Sequence, residues 1–294
     1  MKPMRTFAAL TVILGLGMGA EVSAASARDR NYPLQKKEET TKTLRFADPS
    51  RPGRVVVDNI FGFIHVEGYD GREVELALTK TVFARNDARL EAAQAEVKLD
   101  ITEQGDKVDL YVDGPFRDSE RERRVRQRRD PGYEVRYDFT LRVPRRVDLD
   151  LATVTDGDIL VRGVEGEFAV HNVNGKVRLD AVAGSGEAET VNGEVRVVFR
   201  RPPGSDCSFK TLNGDVTLFF PGVPSADFRL RTMHGDLYTD FDVAPLPPGP
   251  ATSERREGKF TYQSDRFVGV RTGKGGPEVR CETMNGDVLI KKEK

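Results

Sequence analysis

A short phrase that recurs along the chain, Thr-x-Asn-Gly followed by alternating aliphatic residues, restricts the possible folds more than any other feature. Residues 211–222 read TLNGDVTLFFPG, and related phrases stand at 172–179, 190–197, 232–239 and 283–290. Asn-Gly is the strongest short signal for a tight turn, because both residues tolerate a positive φ. Repetition of one turn indicates a chain built from equivalent structural units.

The repeats have a nearly constant length when they are aligned on the glycine of the turn. Successive turn glycines are 18 or 21 residues apart between Gly157 and Gly235, and 51 residues separate Gly235 from Gly286. A period of about 20 residues is typical of repeat architectures in which each unit buries its apolar face on its neighbours. We expect tolerance of positive φ to set each corner. The predicted corner residues are Gly62, Asp156, Gly157, Asn174, Gly175, Asn192, Gly193, Asn213, Gly214, His234, Gly235, Asn285 and Gly286.

Two all-β architectures fit this repeat. In an antiparallel meander, each Asn-Gly would be the type I′ turn of a hairpin. In a single-domain β-solenoid, similar to a parallel β-helix, each repeat would be one coil, and equivalent residues would stack about 4.8 Å apart. The solenoid is favoured, because stacked Asn and Thr side chains can bond to their own kind in neighbouring coils. The gap before Gly286 would then hold one degenerate coil and a loop at 243–258.

The remaining segments predict the domain organisation. A polar lead at 28–52 precedes a β-strand repeat domain over 53–294, which an Arg-rich insert interrupts at 116–132. Residues 86–96 are rich in Ala, Leu, Glu and Gln and lack strand-like alternation, so they predict the one short helix.

The first 27 residues predict export. Lys2 and Arg5 precede an apolar run at 6–20, and small-residue cleavage patterns follow. The run is shorter than the roughly 20 residues that a membrane span needs. We therefore expect a signal peptide at 1–27, no later transmembrane segment, and a periplasmic or cell-surface location.

The phrases LDLATVTDGDILVRGVEG, VHNVNGKV, ETVNGEV and KTLNGDV resemble those of a bacterial putative-adhesin β-strand repeat family, domain of unknown function 4097. This family is similar to autotransporter-adhesin head domains, and the resemblance spans about residues 53–294. It implies an exported β-solenoid of the cell envelope with no established catalytic residues. The insert at 116–132 and His234, which stands where Asn is expected, depart from the family pattern.

The sequence offers few residues suited to catalysis. It contains no Trp and three histidines, and none of His65, His171 and His234 stands in a metalloprotease or serine-hydrolase motif. We expect no catalytic residue and no cofactor. Paired carboxylates that cleave polysaccharide remain an alternative, since only their separation in space would identify them.

A column of carboxylates is the one arrangement that could bind a metal. Asp158, Asp215, Asp236 and Asp287 each follow a turn glycine, and stacked carboxylates can bind Ca²⁺. However, Lys176 and Glu194 occupy the same position in intervening repeats. We therefore expect corner residues and no metal site.

Cys207 and Cys281 are the two cysteines, and export would permit a disulfide. Our alignment places them two or three coils apart, or roughly 10–14 Å. A bridge needs Cα atoms within about 7 Å. The alignment therefore favours two buried thiols over a bond.

The Arg-rich insert is a candidate anion-binding segment, although a solvated loop or hairpin tip that joins two strands is the favoured interpretation. Acidic residues interleave its arginines, and Lys plus Arg (46) nearly equals Asp plus Glu (47) in the whole chain, so a nucleic-acid partner is not expected. The candidate residues are Arg117, Arg121, Arg123, Arg124, Arg126, Arg128 and Arg129.

These observations favour an exported, non-enzymatic scaffold or adhesin-like interaction module of the cell envelope. Its partner would be an envelope polysaccharide or another envelope protein. The alternatives are a polysaccharide-active enzyme on a β-helix, and a partner or sensor in an envelope-stress pathway. The pattern leaves the oligomeric state open.

Overall fold

The computed structural model describes residues 32–48, 51–117, 130–247, 252–256, 259–263 and 267–293, and for 252–263 it describes only the backbone. The predicted signal peptide and most of the Arg-rich insert lie outside the described residues. The described chain forms a 10-stranded sheet, an 11-stranded sheet and a two-stranded sheet, with a single α-helix. The all-β prediction is confirmed. No helix in these ranges is long and apolar enough to cross a membrane.

The helix α1 covers Asp87–Glu96, and a 3₁₀ turn covers Pro115–Arg117. The strands are β1 (Leu34–Arg45), β2 (Gly53–Asp58), β3 (Ile64–Tyr69), β4 (Glu73–Ala84), β5 (Lys98–Gln104), β6 (Lys107–Asp113), β7 (Tyr133–Pro144), β8 (Val147–Ala152), β9 (Ile159–Arg162), β10 (Phe168–His171), β11 (Val177–Val182), β12 (Gly186–Glu189), β13 (Val195–Phe199), β14 (Cys207–Lys210), β15 (Val216–Phe220), β16 (Ala226–Arg231), β17 (Leu237–Thr239), β18 (Ala244–Pro245), β19 (Thr252–Arg256), β20 (Lys259–Gln263), β21 (Val268–Thr272), β22 (Glu278–Glu282) and β23 (Val288–Lys292).

Each repeat forms one coil, with a strand in the 11-stranded sheet, a corner at the turn glycine, and a strand in the 10-stranded sheet. Neighbouring coils pair in parallel, so equivalent residues such as Val177, Val195 and Val216 stand side by side. Antiparallel hairpins at these turns are therefore excluded. In spatial order, the coils are coil 1 (β2, β3), coil 2 (β8, β9), coil 3 (β10, β11), coil 4 (β12, β13), coil 5 (β14, β15), coil 6 (β22, β23) and coil 7 (β16, β17).

The corner asparagines do not adopt the positive φ that we predicted. Apart from glycines, the described residues with positive φ are Asp156 and Ala181. The turn glycines of six coils have positive φ, and Gly157 is the exception. The asparagines instead form parallel bridges to one another, from Asn174 through to Asn285. The corner is therefore a stacked extended segment that ends at a glycine, which explains why Asn needs no left-handed conformation.

The spatial order of the last two coils differs from their order in the chain. Coil 6, the last coil in the sequence, lies between coil 5 and coil 7, because β23 pairs with both β15 and β17 and β22 pairs with both β14 and β16. The predicted degenerate coil is not present in the described residues. Instead β21 pairs antiparallel with β16 and carries β18 on its other side.

The insertion of coil 6 also corrects the predicted separation of the cysteines. β14 and β22 are adjacent strands, with Cys207 opposite Val279 and Phe209 opposite Cys281. The separation of two or three coils was wrong, because the alignment followed chain order. Both cysteines are free and buried, and burial raises the pKa of each thiol.

Antiparallel strands close the other end of the stack. β7 pairs in parallel with β3, then β4 and β1 add antiparallel strands, so part of the predicted polar lead lies in the sheet. The helix begins after Asn86, whose side-chain oxygen accepts the Arg89 amide at 3.0 Å. It packs on β4 and β7. The predicted helix at 86–96 is confirmed.

A salt bridge holds the antiparallel strand β21 to coil 7 at the other end. Two guanidinium nitrogens of Arg271 lie 2.6 Å from the Asp227 carboxylate, and these hydrogen bonds hold the Asp227 pKa below its usual range. A carboxyl group with a lowered pKa stabilises the fold at neutral pH, and this contribution is lost as the pH falls through the folded-state pKa.

We expect Asp227→Asn to lower the free energy of unfolding by about 0.5–1 kcal/mol at pH 7, a modest amount because solvent screens the pair. The difference from wild type should shrink as the pH falls below about 4, where aspartate in the unfolded chain protonates, and should vanish below the lowered folded-state pKa. Urea unfolding at a series of pH values measures it, with Arg271→Met as the matched variant. A difference that persists at pH 2 would contradict this assignment.

Candidate interaction surface

The inner side of the corner is fixed by a row of hydroxyl groups. The threonine three residues before the turn glycine donates to the glycine carbonyl of the neighbouring coil. In coil 5, for example, the Thr211 hydroxyl lies 2.8 Å from the Gly193 oxygen, and in coil 6 the Thr283 hydroxyl lies 2.8 Å from the Gly214 oxygen. These bonds satisfy buried carbonyl groups and fix the corners of neighbouring coils relative to one another.

A ladder of asparagine side chains runs along the outer side of the same corner. The amide nitrogen of each asparagine donates to the side-chain oxygen of the one before it, at 2.8 Å from Asn192 to Asn174, 2.7 Å from Asn213 to Asn192 and 2.7 Å from Asn285 to Asn213. His234 occupies the equivalent position in coil 7 and forms a bridge with Asn285. The ladder therefore follows the spatial order of the coils, including the inserted coil 6.

Beside this ladder, five coils each present one apolar side chain to solvent. We define the apolar row as Val173, Val191, Leu212, Met284 and Met233, in coils 3 to 7. Four of its members are exposed, from 37% at Val191 and Met284 to 55% at Met233. Backbone hydrogen bonds keep the row in register. The Asn213 backbone amide donates to the Val191 carbonyl oxygen at 2.8 Å, and the Asn285 backbone amide donates to the Leu212 carbonyl oxygen at 2.9 Å.

The opposite side of the ladder is acidic. Glu194, Asp215, Asp287 and Asp236 follow the turn glycines of coils 4 to 7, and we name them the acidic row. The insertion of coil 6 sets their spatial order, so Asp287 lies between Asp215 and Asp236. The Asp215 carboxylate accepts the Asp287 amide at 2.8 Å, so these groups serve the corner, as predicted. Among the residues that the structure describes, no cluster of ligands suits a metal ion.

The three histidines lie in different coils and form no common site. His65 in coil 1 stacks on Phe63 with ring centroids 4.2 Å apart, and desolvation lowers its pKa. His171 in coil 3 lies 3.0 Å from a Glu189 oxygen. His234 is exposed at the end of the asparagine ladder in coil 7.

Of the candidate anion-binding arginines, only Arg117 lies in the described residues, and its charge is already paired. Two of its guanidinium nitrogens lie 3.0 and 2.8 Å from the Asp58 carboxylate, and the group stacks 4.6 Å above the Tyr111 ring. Arg117 thus anchors the start of the insert to β2. The other six arginines lie outside the described residues.

A groove of about 550 Å³ crosses the outer face of the 11-stranded sheet. Small residues such as Ala169 and Gly186 line it between larger charged ones, including Asp150, Glu187 and Arg280. Ala169 stands opposite Asp150 on one side and opposite Glu187 on the other. The two carboxylates therefore belong to strands two spacings apart, about 9.6 Å.

Sequence reasoning did not identify the apolar row or this groove. The signal for the row was present, since an aliphatic residue or Met stands two positions before most turn glycines. The sequence alone does not show that this residue faces solvent, because it does not show which side of a corner is exposed. The groove depends on residues of six strands and has no local signal.

The expected family resemblance is confirmed over the second half of the chain. Residues 146–291 match the family model of Toastrack DUF4097. A search against curated proteins gave no match.

Several solved structures are similar at low sequence identity. A putative cell adhesion protein from Clostridium sporogenes is 11% identical, with a TM-score of 0.37 over 88% of this chain and 100% of its own. A putative adhesin from Bacteroides fragilis is 10% identical, with a TM-score of 0.26 over 87% and 97%. A putative lipid binding protein from Parabacteroides distasonis is 11% identical, with a TM-score of 0.27 over 87% and 97%. All three TM-scores lie below 0.5.

Proposed function

Because residues 146–291 belong to the Toastrack DUF4097 family, whose function is not established, we propose a function from the surface of the coils themselves. The protein is an exported, non-enzymatic interaction module of the cell envelope, and the apolar row is the face that contacts its partner. The observation that carries this proposal is the exposure, in register, of Val191, Leu212, Met284 and Met233 on successive coils.

The geometry of the row favours binding. Five side chains at a spacing of about 4.8 Å make a straight strip about 19 Å long. Contiguous exposed apolar surface on a folded protein commonly marks an interaction site, whereas isolated exposed apolar residues do not. The hydrogen-bonded corner below the strip is already ordered, so a partner binds without the cost of ordering the backbone.

The charges beside the row favour a protein or a neutral polysaccharide as the partner. The acidic row lies along one side, and the other side carries ion pairs such as Arg231 with Glu282. An anionic polymer laid on this strip would meet Asp215, Asp287 and Asp236 in succession, which is unfavourable. A basic or uncharged surface meets no such repulsion.

The test is binding of the full chain to purified peptidoglycan, neutral and anionic envelope polysaccharides, and isolated envelope proteins. We expect the double variant Leu212→Glu, Met233→Glu to weaken binding at least about tenfold, since two charges in the contact would be desolvated. Val223→Glu is the matched control, because Val223 is 65% exposed and lies outside the row. Equal binding by the row variant and the control would refute the assignment.

A second candidate function is hydrolysis of a polysaccharide in the groove on the 11-stranded sheet. One observation supports it: Asp150 and Glu187 lie in one register row two strands apart. The two strands are about 9.6 Å apart, and the two carboxyl groups of inverting glycosidases are about 6.5–9.5 Å apart. Analysis of the same samples for cleaved products tests it, with Glu187→Gln as the variant that should abolish cleavage.

A further inference from the structure

Coil 6 is inserted between coil 5 and coil 7, which follow each other directly in the sequence. β21 and β22 lie on opposite sides of β16, and residues 273–277, GKGGP, connect them around the end of that strand. Gly273 and Gly275 in this link have positive φ. The space between coil 5 and coil 7, which we name the slot, therefore receives a segment tethered by one short, glycine-rich connection.

We propose that the slot is an exchangeable binding site for an Asn-Gly coil, and that a second copy of this chain donates its own coil 6 to it. The two copies then form a dimer by reciprocal exchange of residues 278–293. Every contact that coil 6 makes inside its own chain is retained in this dimer, which is the usual reason that domain swapping is energetically inexpensive.

The slot selects its occupant by the sequence of the corner. A glycine is required, because a Cβ on Gly286 would lie 2.1 Å from the Gly214 oxygen. A threonine and an asparagine are also required, because both donate hydrogen bonds to coil 5. The Thr283 hydroxyl lies 2.8 Å from the Gly214 carbonyl oxygen, and the Asn285 side-chain nitrogen lies 2.7 Å from the Asn213 side-chain oxygen. On the other side, the Asp287 carboxylate accepts the Asp236 amide at 2.9 Å. The same coil of a second copy meets all these requirements.

Coil 7 can pack on coil 5 when coil 6 leaves, which lowers the free-energy cost of releasing coil 6. Its corner, TMHGDLYT, follows the same template as TMNGDVLI in coil 6. Thr232 already donates to Gly286 at 2.8 Å, and the same hydroxyl can donate to Gly214 once coil 6 is absent. The chain thus has two alternative packings of its last coils, and such bistable elements are the basis of conformational switches.

Changing the length of the connection tests exchange directly. Strands β21 and β22 are about 9.6 Å apart across β16, and deletion of residues 273–275 leaves two residues, which reach about 10 Å when fully extended. They cannot also bend around β16, so coil 6 can insert only into a second copy. We expect this variant to form discrete dimers in light scattering, and a chain lengthened by Gly-Ser-Gly-Ser after Lys274 to be monomeric at the same concentration. A folded monomer of the shortened chain would overturn the proposal.

A second measurement does not depend on the folding of the shortened chain. Cys281 is fully buried in coil 6, so in the Cys207→Ser chain its reaction with a thiol reagent reports release of that coil. The matched control is the Cys207→Ser, Cys281→Ser chain with Ala188→Cys, at a fully buried position in coil 4. We expect Cys281 to react at least about tenfold faster than the control thiol. Equal rates for the two thiols would refute local release of coil 6.

Discussion

Gly214→Val is expected to lower the free energy of unfolding by about 4 kcal/mol or more, which is the range of severe single substitutions. Gly214 has φ of +151°, a conformation that residues with side chains rarely adopt. A Cβ atom there would lie 2.1 Å from the carbonyl oxygen of Gly193 and 2.6 Å from its carbon. Coil 4 cannot move away from coil 5, because the Gly193 backbone amide donates a hydrogen bond to the Asn213 backbone carbonyl oxygen at 3.0 Å.

A second glycine provides the control for this prediction. Gly222 lies in the loop after β15, and a Cβ there would meet no atom within 4 Å. We expect Gly222→Val to change stability by about 0.5 kcal/mol at most, as for most substitutions away from specific contacts. Urea unfolding of the two variants beside wild type measures both values. A loss at Gly214 no larger than that at Gly222 would show that the coils are not packed this closely.

The corner illustrates how far the sequence determines the fold. The glycines could be predicted, because Asn-Gly repeated at a constant period has few alternatives. The structural role of the asparagines could not be predicted, since a hairpin turn and a stacked corner both use Asn-Gly. Only parallel pairing of the coils shows that Asn192 and Asn213 act through a side-chain ladder and not through positive φ.

The order of the last coils could not be predicted from local patterns either. The corners of coil 6 and coil 7 are nearly identical in sequence, so each could follow coil 5 equally well. The spatial order of these two coils depends on long-range contacts, such as the antiparallel pairing of β21 with β16. This one choice of topology corrects the position of Cys281 and places Asp287 between Asp215 and Asp236 in the acidic row.

Phe220→Ala is expected to lower the free energy of unfolding by about 3–5 kcal/mol, the usual cost of removing a buried phenylalanine. Phe220 is fully buried at the end of β15. Its ring stacks on Phe199 of coil 4 with centroids 5.0 Å apart, and meets the rings of Phe228 and Phe241 edge-on at 6.0 and 6.4 Å.

The position of Phe220 explains why its loss should be severe. Phe228 belongs to coil 7, so the ring of Phe220 reaches past strand β22 of the inserted coil 6, in which the buried residues Val279 and Cys281 are small. Alanine would therefore leave a cavity lined by residues of coil 4 and coil 7, and such cavities raise the free-energy cost because the structure around them relaxes only in part.

Phe219, the adjacent residue, is the matched control for Phe220. Its ring lies on the outer face of the 10-stranded sheet, 4.7 Å below the Arg196 guanidinium, and is only partly buried. We expect Phe219→Ala to cost about 1 kcal/mol, the value of an exposed cation–π contact. Thermal and urea unfolding of the two variants would separate them by about 2 kcal/mol or more. Equal losses would mean that the ring of Phe220 does not join coil 7 to coil 5 across the inserted coil, and the spatial order of the last three coils would have to be revised.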